Sequence, residues 1–243
     1  MKTYGLIGKN ISYSFSRSFF KKKFELESLN CEYNNFDIDI IDKFPSILKM
    51  DKKINGLNVT IPYKETIIPF LDKIDFEAQK IGAVNTIKIK NNKLIGYNTD
   101  HYGFTKSLIP YLNNNHNSAL ILGTGGASKA VNFALNKLKI RSQFVSRNPK
   151  SDGHLSYNCL TKDIIENNTI IINCTPIGTY PNIEDSPNIP YKHITQDHIL
   201  FDLIYNPVKT KFLKKGLHAK AQTINGQRML ELQAEKSWEI WNK

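Results

Sequence analysis

A short apolar run at residues 119–123 ends in the glycine-rich turn Gly123-Thr-Gly125-Gly126 and leads into a helical pattern over residues 127–138. A strand that passes through such a turn into a helix is typical of a parallel sheet, because parallel strands need a crossover connection. Further strands are predicted at residues 143–146, 169–174, 199–205 and 222–224, with a helix at residues 210–219. The second half of the chain therefore predicts a doubly wound α/β domain.

The first half of the chain also alternates between strand and helix patterns. Strands are predicted at residues 3–8, 35–39 and 54–61, and helices at residues 18–29, 41–50, 64–71 and 76–81. Residues 83–90 and 93–97 predict a hairpin around Asn91-Asn92. We expect an N-terminal α/β domain of residues 1–100, a second domain of residues 101–226, and a C-terminal helix within residues 227–243 that packs back on the first domain.

The composition of the chain limits the classes of partner that we expect it to bind. The chain has 243 residues, 40% of them hydrophobic, which is enough for two modest cores. The net charge is +11, but the basic residues are scattered, and Lys21-Lys22-Lys23 lies between phenylalanines as on the wet face of an amphipathic helix. We therefore expect no nucleic-acid or membrane partner, and the sequence leaves monomer and homodimer open. Cys31, Cys159 and Cys174 are widely spaced, so we expect no disulfide framework, no metal site and a cytoplasmic protein.

The glycine turn is a variant of the dinucleotide-binding fingerprint. Gly123 and Gly125 would let a pyrophosphate approach backbone amides, and Gly126 with Ala127 or Ser128 opens a helix whose N-terminus attracts phosphate. Taken alone, the turn is equally compatible with a plain tight connection. Its position between a strand and a long helix favours the cofactor site.

The segment Ser146-Arg147-Asn148 ends the next predicted strand, where an NAD site usually carries an acidic residue for the ribose 2′-hydroxyl. Arg147 can instead pair with a 2′-phosphate, which a carboxylate would repel. The segment therefore favours NADP over NAD, the alternative being an exposed loop arginine.

Two ionisable residues occupy comparable positions in the first half. Lys64 closes Asn58-Val-Thr-Ile-Pro-Tyr-Lys64, where a proline stops a strand-like run, and Asp100 follows the hairpin in Gly96-Tyr-Asn-Thr-Asp100. Segments that leave strands commonly carry functional groups. If the fold brings the two together, they form a pair able to move a proton.

Several motifs follow one another along the chain: Ser14-Phe-Ser16, Asn58-Val-Thr-Ile-Pro-Tyr-Lys64, Gly82-Ala-Val-Asn-Thr86, Asn98-Thr-Asp100, the Gly123 turn, Asn173-Cys-Thr-Pro-Ile-Gly178, Asp202-Leu-Ile-Tyr-Asn-Pro207, and Asn225-Gly226 with Gln233. In this order they resemble the shikimate dehydrogenase family almost from end to end. The resemblance implies a substrate domain followed by a Rossmann-like NADP-binding domain. It also implies NADPH-dependent, reversible reduction of 3-dehydroshikimate to shikimate, on the route to chorismate and the aromatic amino acids.

The resemblance assigns roles to individual residues. Lys64 and Asp100 match the family's catalytic pair, and Ser14 and Ser16 would hold the substrate carboxylate. The other implied substrate-binding residues are Thr60, Asn85, Tyr205 and Gln233. The implied cofactor-binding residues are Gly123, Gly125, Gly126, Ala127, Ser146, Arg147, Asn148, Thr175, Gly226 and Met229.

Four of the implied substrate residues also have an ordinary structural role open to them. Ser14 and Ser16 suit the start of the following helix as caps, and Asn85 suits backbone pairing near a turn. Gln233 suits the exposed face of an amphipathic helix. The ordered set of motifs favours one shared substrate site over these separate roles.

Several positions depart from the family's pattern, among them Arg17 and His101. Arg17 stands where a proline commonly follows Ser16, and His101 replaces the usual glycine after Asp100, where it either perturbs that carboxylate or faces solvent. Two other functions fit similar motifs. One is a quinate/shikimate dehydrogenase of broader specificity that uses NAD, which Arg147 disfavours. The other is a non-catalytic ligand sensor, which an intact lysine/aspartate pair disfavours.

Overall fold

The computed structural model describes residues 1–12, 14–51, 53–149 and 153–243. The chain divides into two compact units, the first formed by Met1–Tyr102 with Leu230–Lys243 and the second by Gly103–Met229. Each unit is built on a six-stranded sheet with helices. The predicted fold class, a two-domain α/β protein, is confirmed.

The first unit has a mixed sheet. Its elements are β1 (Lys2–Gly8), α1 (Phe15–Leu26), β2 (Cys31–Asp37), α2 (Phe44–Met50), β3 (Ile54–Val59), β4 (Lys73–Ile74), α3 (Phe76–Ile81), β5 (Thr86–Lys90), β6 (Lys93–Tyr97) and the start of α4 (Asp100–Leu108). The strand order is β2-β1-β3-β5-β6-β4, with β1 parallel to β2 and β3, and β5 antiparallel to β3 and β6. Asn91 and Asn92 turn the predicted hairpin with φ of 52° and 57°, the left-handed values that a tight two-residue turn requires.

The second unit has a sheet that is parallel throughout. After α4 come β7 (Ser118–Leu122), α5 (Gly126–Lys137), β8 (Arg141–Ser146), β9 (Leu155–Ser156), α6 (Lys162–Asn167), β10 (Ile170–Asn173), β11 (Ile199–Asp202), α7 (Lys211–His218), β12 (Gln222–Ile224) and α8 (Gln227–Asn242). The order β12-β11-β10-β7-β8-β9 reverses direction beside β7. Open parallel sheets bind ligands at the carboxyl ends of strands beside such a reversal.

The apolar strands explain the core of the second unit. Ala119 and Ile121 pack on one face of β7, and Leu120 and Leu122 on the other, because successive strand residues point to opposite faces. All four are fully buried, as expected of a parallel sheet covered by helices on both sides. None of the helices in the described residues has the length and apolar character that a membrane crossing requires.

Helix α8 belongs to the first unit from Leu230 onward. The Trp241 ring stacks on Tyr4 with centroids 4.9 Å apart, and its Nε1 donates to the Ile87 carbonyl at 2.9 Å. Lys88 Nζ donates to the Ile240 carbonyl at 2.9 Å, near the carboxyl end of the helix where a cation is favourable. The prediction that the C-terminal helix packs on the first domain is confirmed.

Two features of the helices differ from the sequence prediction. Residues 64–71 form turns and a short 3-10 helix at Ile68–Phe70, because a proline at position 69 prevents a regular α-helix from passing through it. Helices α4 and α6 were not predicted. The α4 helix starts at Asp100 itself, directly after the hairpin, with no intervening loop to mark its beginning.

Candidate active site

Lys64 and Asp100 meet within the first unit. Lys64 Nζ lies 2.6 Å from Asp100 Oδ2, and the two side chains are 14% and 7% exposed. Charges withdrawn from water are less screened than a surface pair, so their geometry is held more firmly. The structure thus brings together the two residues that follow separate strands in the sequence.

The turn after β3 places Lys64. The Ile61–Pro62 peptide in this turn is cis, and the buried Tyr63 hydroxyl donates to the Ile38 carbonyl at 2.7 Å. The Lys64 carbonyl accepts from the Val84 N–H at 2.7 Å. The backbone is therefore anchored on both sides of the turn, and the Lys64 side chain starts from a fixed origin.

Helix α4 places Asp100. Asn98 caps this helix, since its Oδ1 accepts from the Asp100 N–H at 3.1 Å while its Nδ2 donates to the Ala83 carbonyl at 2.9 Å. Asp100 lies in the first turn, where the helix dipole favours negative charge. The carboxylate is thus stabilised by its own helix as well as by Lys64.

Asn85 holds the other oxygen of the Asp100 carboxylate. Asn85 Oδ1 accepts from the Thr99 N–H at 2.7 Å, and because a backbone N–H can only donate, Nδ2 must point the opposite way. Asn85 Nδ2 donates to Asp100 Oδ1 at 2.9 Å. One carboxylate oxygen is therefore fixed by Asn85 and the other by Lys64.

Gln233 brings α8 into the same cluster. Its side chain is 6% exposed, so the exposed-face alternative for this residue is wrong. Gln233 Nε2 donates to the Leu230 carbonyl at 2.9 Å, which leaves Oε1 facing Asn85 Nδ2 at 3.3 Å. The cluster thus combines a lysine, a carboxylate and two side-chain amides of defined orientation.

His101 is buried rather than solvent-facing. Its Nε2 lies 3.2 Å from Glu77 Oε2, and the residue is 8% exposed. Its backbone N–H lies 3.4 Å from Asn98 Oδ1, the same oxygen that caps Asp100. The residue that departs from the family's pattern therefore joins α4 to α3 within the first unit.

The serine loop and Thr60 also lie in the first unit. Ser14 occupies the N-cap position of α1, yet among the described residues its side chain makes no capping hydrogen bond. Ser16 lies beside the Tyr33 hydroxyl, whose pKa is raised by burial and partly lowered again by that contact. Thr60 is half-buried just beyond β3, with its N–H donating to the Ile7 carbonyl at 2.9 Å. The cap alternative is therefore wrong for Ser14.

The Gly123 turn has the shape that a phosphate cradle requires. Gly123 has a φ of 106°, and a Cβ there would lie 3.1 Å from Thr175 Cγ2. A Cβ on Gly125 would meet nothing within 4 Å, so the approach to the start of the 12-residue helix α5 is open. In the described part of the chain no side chain caps this helix and no acidic residue lies in its first turn. The turn therefore fits the pyrophosphate of a dinucleotide, with Gly126 and Ala127 at the helix start.

The segment after β8 presents Arg147 to solvent. The residues on either side of Arg147 are linked to each other, since the Asn148 N–H donates to Ser146 Oγ at 3.2 Å. Burial raises the pKa of Tyr157, and the positive charge of Arg147 offsets part of that rise. A guanidinium thus stands exposed at the carboxyl end of the strand next to β7.

Three of the remaining predicted residues of the second unit, Thr175, Tyr205 and Gly226, lie on loops after β10, β11 and β12, and the fourth, Met229, lies near the start of α8. Thr175 Oγ1 donates to Asn173 Oδ1 at 2.6 Å, and a Cβ on Gly226 would collide with the Leu203 carbonyl. Tyr205 is half-buried in the loop after β11. Met229 is 5% exposed and packs in the apolar core.

Asp202 is a buried carboxylate at the end of β11 that the sequence analysis did not single out for a role. Its Oδ1 accepts from Asn173 Nδ2 at 3.0 Å and from the Ile204 N–H at 3.1 Å, and its Oδ2 accepts from Thr210 Oγ1 at 2.6 Å. Despite these three donors, burial raises the pKa of Asp202 from 3.8 to about 6. The carboxyl group therefore ties two loops to the start of α7 at the cost of a desolvated charge.

Asp202→Asn is expected to flatten part of the pH dependence of stability. A carboxyl whose pKa is higher in the folded chain binds its proton more tightly there, so its contribution to the free energy of unfolding falls as pH rises from about 4 to about 6. The shift corresponds to at most about 3 kcal/mol. An asparagine can keep the contacts to Asn173 and Ile204 through its oxygen and donate to Thr210. Melting temperatures of both proteins across this pH range should converge at the acidic end, and parallel curves would contradict the expectation.

Sequence analysis missed Thr99 and Ser237 as members of the site. Thr99 is 1% exposed and its Oγ1 accepts from Asn85 Nδ2 at 2.9 Å, and the fully buried Ser237 Oγ lies 3.2 Å from Thr99 Oγ1. Thr99 lay inside the Asn98-Thr-Asp100 motif, and Ser237 follows Gln233 by one helical turn. That four-residue spacing is the signal that places Ser237 on the same face of α8.

Known proteins are similar to this chain over 99% of its length. The family model for the shikimate dehydrogenase substrate binding domain matches residues 6–87. A shikimate dehydrogenase (NADP(+)) of Methanococcus maripaludis is 41% identical over 259 residues, covering 99% of this chain and 91% of that protein. The corresponding protein of Clostridium botulinum is 40% identical over 252 residues, covering 99% and 96%.

Solved structures share the fold. Shikimate dehydrogenase from Aquifex aeolicus is 35% identical with a TM-score of 0.90, covering 100% of this chain and 92% of that one. The shikimate 5-dehydrogenase of Thermus thermophilus, solved in complex with NADP(H) and shikimate, is 28% identical with a TM-score of 0.88, covering 99% and 93%. With this identity sustained from end to end and the expected motifs gathered in each unit, the chain belongs to the shikimate dehydrogenase family.

Proposed function

We propose that this chain catalyses the reversible, NADPH-dependent reduction of 3-dehydroshikimate to shikimate. The observation that carries the proposal is the buried Lys64–Asp100 pair, 2.6 Å apart, with the Asn85 amide on the other carboxylate oxygen at 2.9 Å. The relatives in M. maripaludis and C. botulinum bear the name of this NADP-dependent enzyme, and the T. thermophilus structure contains NADP(H) and shikimate.

The substrate is a carboxylate on a hydroxylated ring, and the first unit offers matching groups. Ser14 and Ser16 supply hydroxyl donors for the carboxylate. Asn85 and Gln233 contact each other at 3.3 Å, a long hydrogen bond that a ring hydroxyl can replace with shorter ones. Thr60 supplies a further hydroxyl in this unit, and Tyr205 is the residue of the second unit that we assign to the substrate.

The chemistry needs a proton donor at the carbonyl oxygen. Reduction of a ring carbonyl places negative charge on its oxygen, and that charge must be neutralised. The Lys64 ammonium has three N–H donors, of which Asp100 engages one, so the others can serve the substrate oxygen. In the reverse direction Lys64 takes the proton from the substrate hydroxyl. Asp100 holds the lysine in place through the 2.6 Å contact.

The second unit is assigned to the cofactor. NADP, when bound, supplies the hydride in one direction and accepts it in the other. The amides of Gly123, Gly125, Gly126 and Ala127 would hold the pyrophosphate. Ser146, Arg147 and Asn148 would hold the 2′-phosphate, and Thr175, Gly226 and Met229 would border the nicotinamide half.

A single assay tests the proposal. We expect the purified chain to oxidise NADPH with 3-dehydroshikimate, and to do so far more slowly with 3-dehydroquinate or with NADH as cofactor. Comparable rates with quinate-type substrates and NADH would instead indicate the broader quinate/shikimate activity. Binding of shikimate without any cofactor oxidation would indicate a ligand sensor.

We further propose a cytoplasmic enzyme that acts on small molecules alone, as a monomer or homodimer. The free thiols of Cys31, Cys159 and Cys174 support a reducing compartment. Light scattering of the purified protein would decide between the two oligomeric states.

A further inference from the structure

A layer of buried polar side chains lies against the side-chain amides of Asn85 and Gln233, next to the Lys64–Asp100 pair. Its members are Tyr33, Asn58, Thr86, Thr99 and Ser237, each no more than 6% exposed. They come from β2, β3, β5, the segment before α4, and α8. Polar groups buried this deeply are stable only when each finds a hydrogen-bond partner, because a buried group without one has lost its water and gained nothing in return.

Asn58 is the hub of this polar layer. The Asn85 carbonyl can only accept, so the Asn58 group 3.2 Å away must be Nδ2, and Oδ1 accepts from the Tyr33 hydroxyl at 2.8 Å. Asn58 Nδ2 also donates to Ser237 Oγ at 3.0 Å. The amide of Asn58 therefore has a single allowed orientation and uses both its donor and acceptor ends.

Ser237 joins α8 to that hub. Its hydroxyl donates to the Gln233 carbonyl at 2.9 Å, which commits its only hydrogen. Towards Asn58 Nδ2 at 3.0 Å and the Thr86 hydroxyl at 2.8 Å it therefore acts as an acceptor. One hydroxyl thus links the helix that carries Gln233 to β3 through Asn58 and to β5 through Thr86, the residue that follows Asn85.

We propose that Ser237 and Asn58 are positioning residues that fix the Asn85 amide and, through it, the Lys64–Asp100 pair. The inference rests on the proposed function and adds two residues to it. The backbone carbonyl of Asn85 accepts from Asn58 Nδ2 and from the Val59 N–H at 2.8 Å, which fixes the Asn85 backbone. The Asn85 side chain in turn donates to Asp100 Oδ1 at 2.9 Å.

Loss of the Ser237 hydroxyl has a specific consequence for Asn85. The Thr86 hydroxyl would lose its 2.8 Å acceptor, and the nearer of its two other acceptors is Asn85 Oδ1 at 3.1 Å, ahead of Thr99 Oγ1 at 3.4 Å. That oxygen already accepts from the Thr99 N–H at 2.7 Å. A shorter bond from the released Thr86 hydroxyl, which now lies at 3.1 Å, would draw the amide oxygen towards Thr86 and turn Nδ2 away from Asp100.

The test is a double-mutant cycle between Ser237→Ala and Lys64→Ala, assayed as kcat and KM for 3-dehydroshikimate with saturating NADPH. We expect Ser237→Ala to lower kcat about tenfold, with a smaller change in KM. In the Lys64→Ala background the same substitution should lower kcat less than about twofold, since the pair it positions is already broken. Losses that multiply independently would overturn the inference.

Trp241→Phe is the matched control. It removes one buried hydrogen bond from the same helix, at the Ile87 carbonyl 2.9 Å away, and keeps an aromatic ring for packing on Tyr4. Both variants should melt at a lower temperature than wild type, but only Ser237→Ala should lower kcat. Equal kcat values for the two variants would also overturn the inference. If Ser237→Ala does not fold, Ser237→Cys enters the same cycle with a weaker acceptor. A wild-type chain inactive with 3-dehydroshikimate would refute the proposed function itself, which keeps the two failures distinct.

Discussion

Replacing Lys64 with alanine is expected to lower turnover of 3-dehydroshikimate on the order of 10³-fold, and at least about 10²-fold, while NADP binding changes little. The ammonium is the only proton donor that we assign to the carbonyl oxygen, and its loss also leaves Asp100 without its 2.6 Å partner. The affected residues lie in the first unit, whereas the assigned cofactor residues lie in the second. Steady-state kinetics, together with NADP titration by calorimetry, would measure both effects.

Lys88→Met provides the control for the loss of a buried lysine. Lys88 is 8% exposed and donates to the Ile240 carbonyl rather than to a carboxylate, and burial lowers its pKa. Its replacement should lower thermal stability and leave turnover within about twofold of wild type. Partial rescue of Lys64→Ala by added small primary amines would support the proton-donor role. Unchanged turnover in Lys64→Ala would remove this residue from the mechanism.

The sequence was a good guide to which residues of the first unit lie close together, for a physical reason. Lys64, Asn85 and Asp100 each follow or precede a short strand, and the ends of neighbouring strands lie close in a sheet. Order along the chain was therefore enough to propose their proximity once the motifs were matched. Gln233 needed the family resemblance, because nothing in an amphipathic pattern distinguishes a buried glutamine from an exposed one.

Hydrogen-bond direction could not be predicted from the sequence. The orientation of the Asn85 amide depends on the Thr99 N–H, and that of Gln233 on the Leu230 carbonyl, which are tertiary and local backbone contacts that residue types do not specify. The sequence predicts that Asp100 follows a strand, but the helix that begins at Asp100 was not predicted. The signal was present in Asn98, since an asparagine two residues before the first apolar turn is a common helix cap.

The helix predicted at residues 64–71 is wrong because a proline interrupts the apolar pattern. Residues 64–71 carry a helix-like distribution of apolar residues, yet Pro69 limits the segment to turns and one short 3-10 helix. The turn leaves Lys64 at the end of an anchored loop instead of on a helix face. The error in secondary structure therefore did not change where Lys64 lies, because its position is set by the contacts of Tyr63 and Val84.

Cofactor selectivity is expected to depend on Arg147. This guanidinium is exposed between Ser146 and Asn148 at the carboxyl end of β8. A charge-assisted contact with a phosphate contributes about 1.5–3 kcal/mol, and a carboxylate in its place adds repulsion of the doubly charged group. NAD has a hydroxyl at this position, so its binding involves neither the attraction of a phosphate to Arg147 nor the repulsion of a phosphate by a carboxylate.

Arg147→Asp should therefore weaken NADP binding on the order of 10²-fold to 10³-fold and change NAD binding by only a few-fold. Arg141→Asp is the matched control, because it makes the same charge change at the other, amino-terminal end of β8, where the residue is also exposed. Dissociation constants for both cofactors, measured at low and high salt, would separate a direct phosphate contact from the long-range effect of net charge. Equal losses of NADP and NAD affinity, or equal effects of the two substitutions, would show that Arg147 does not read the 2′-phosphate.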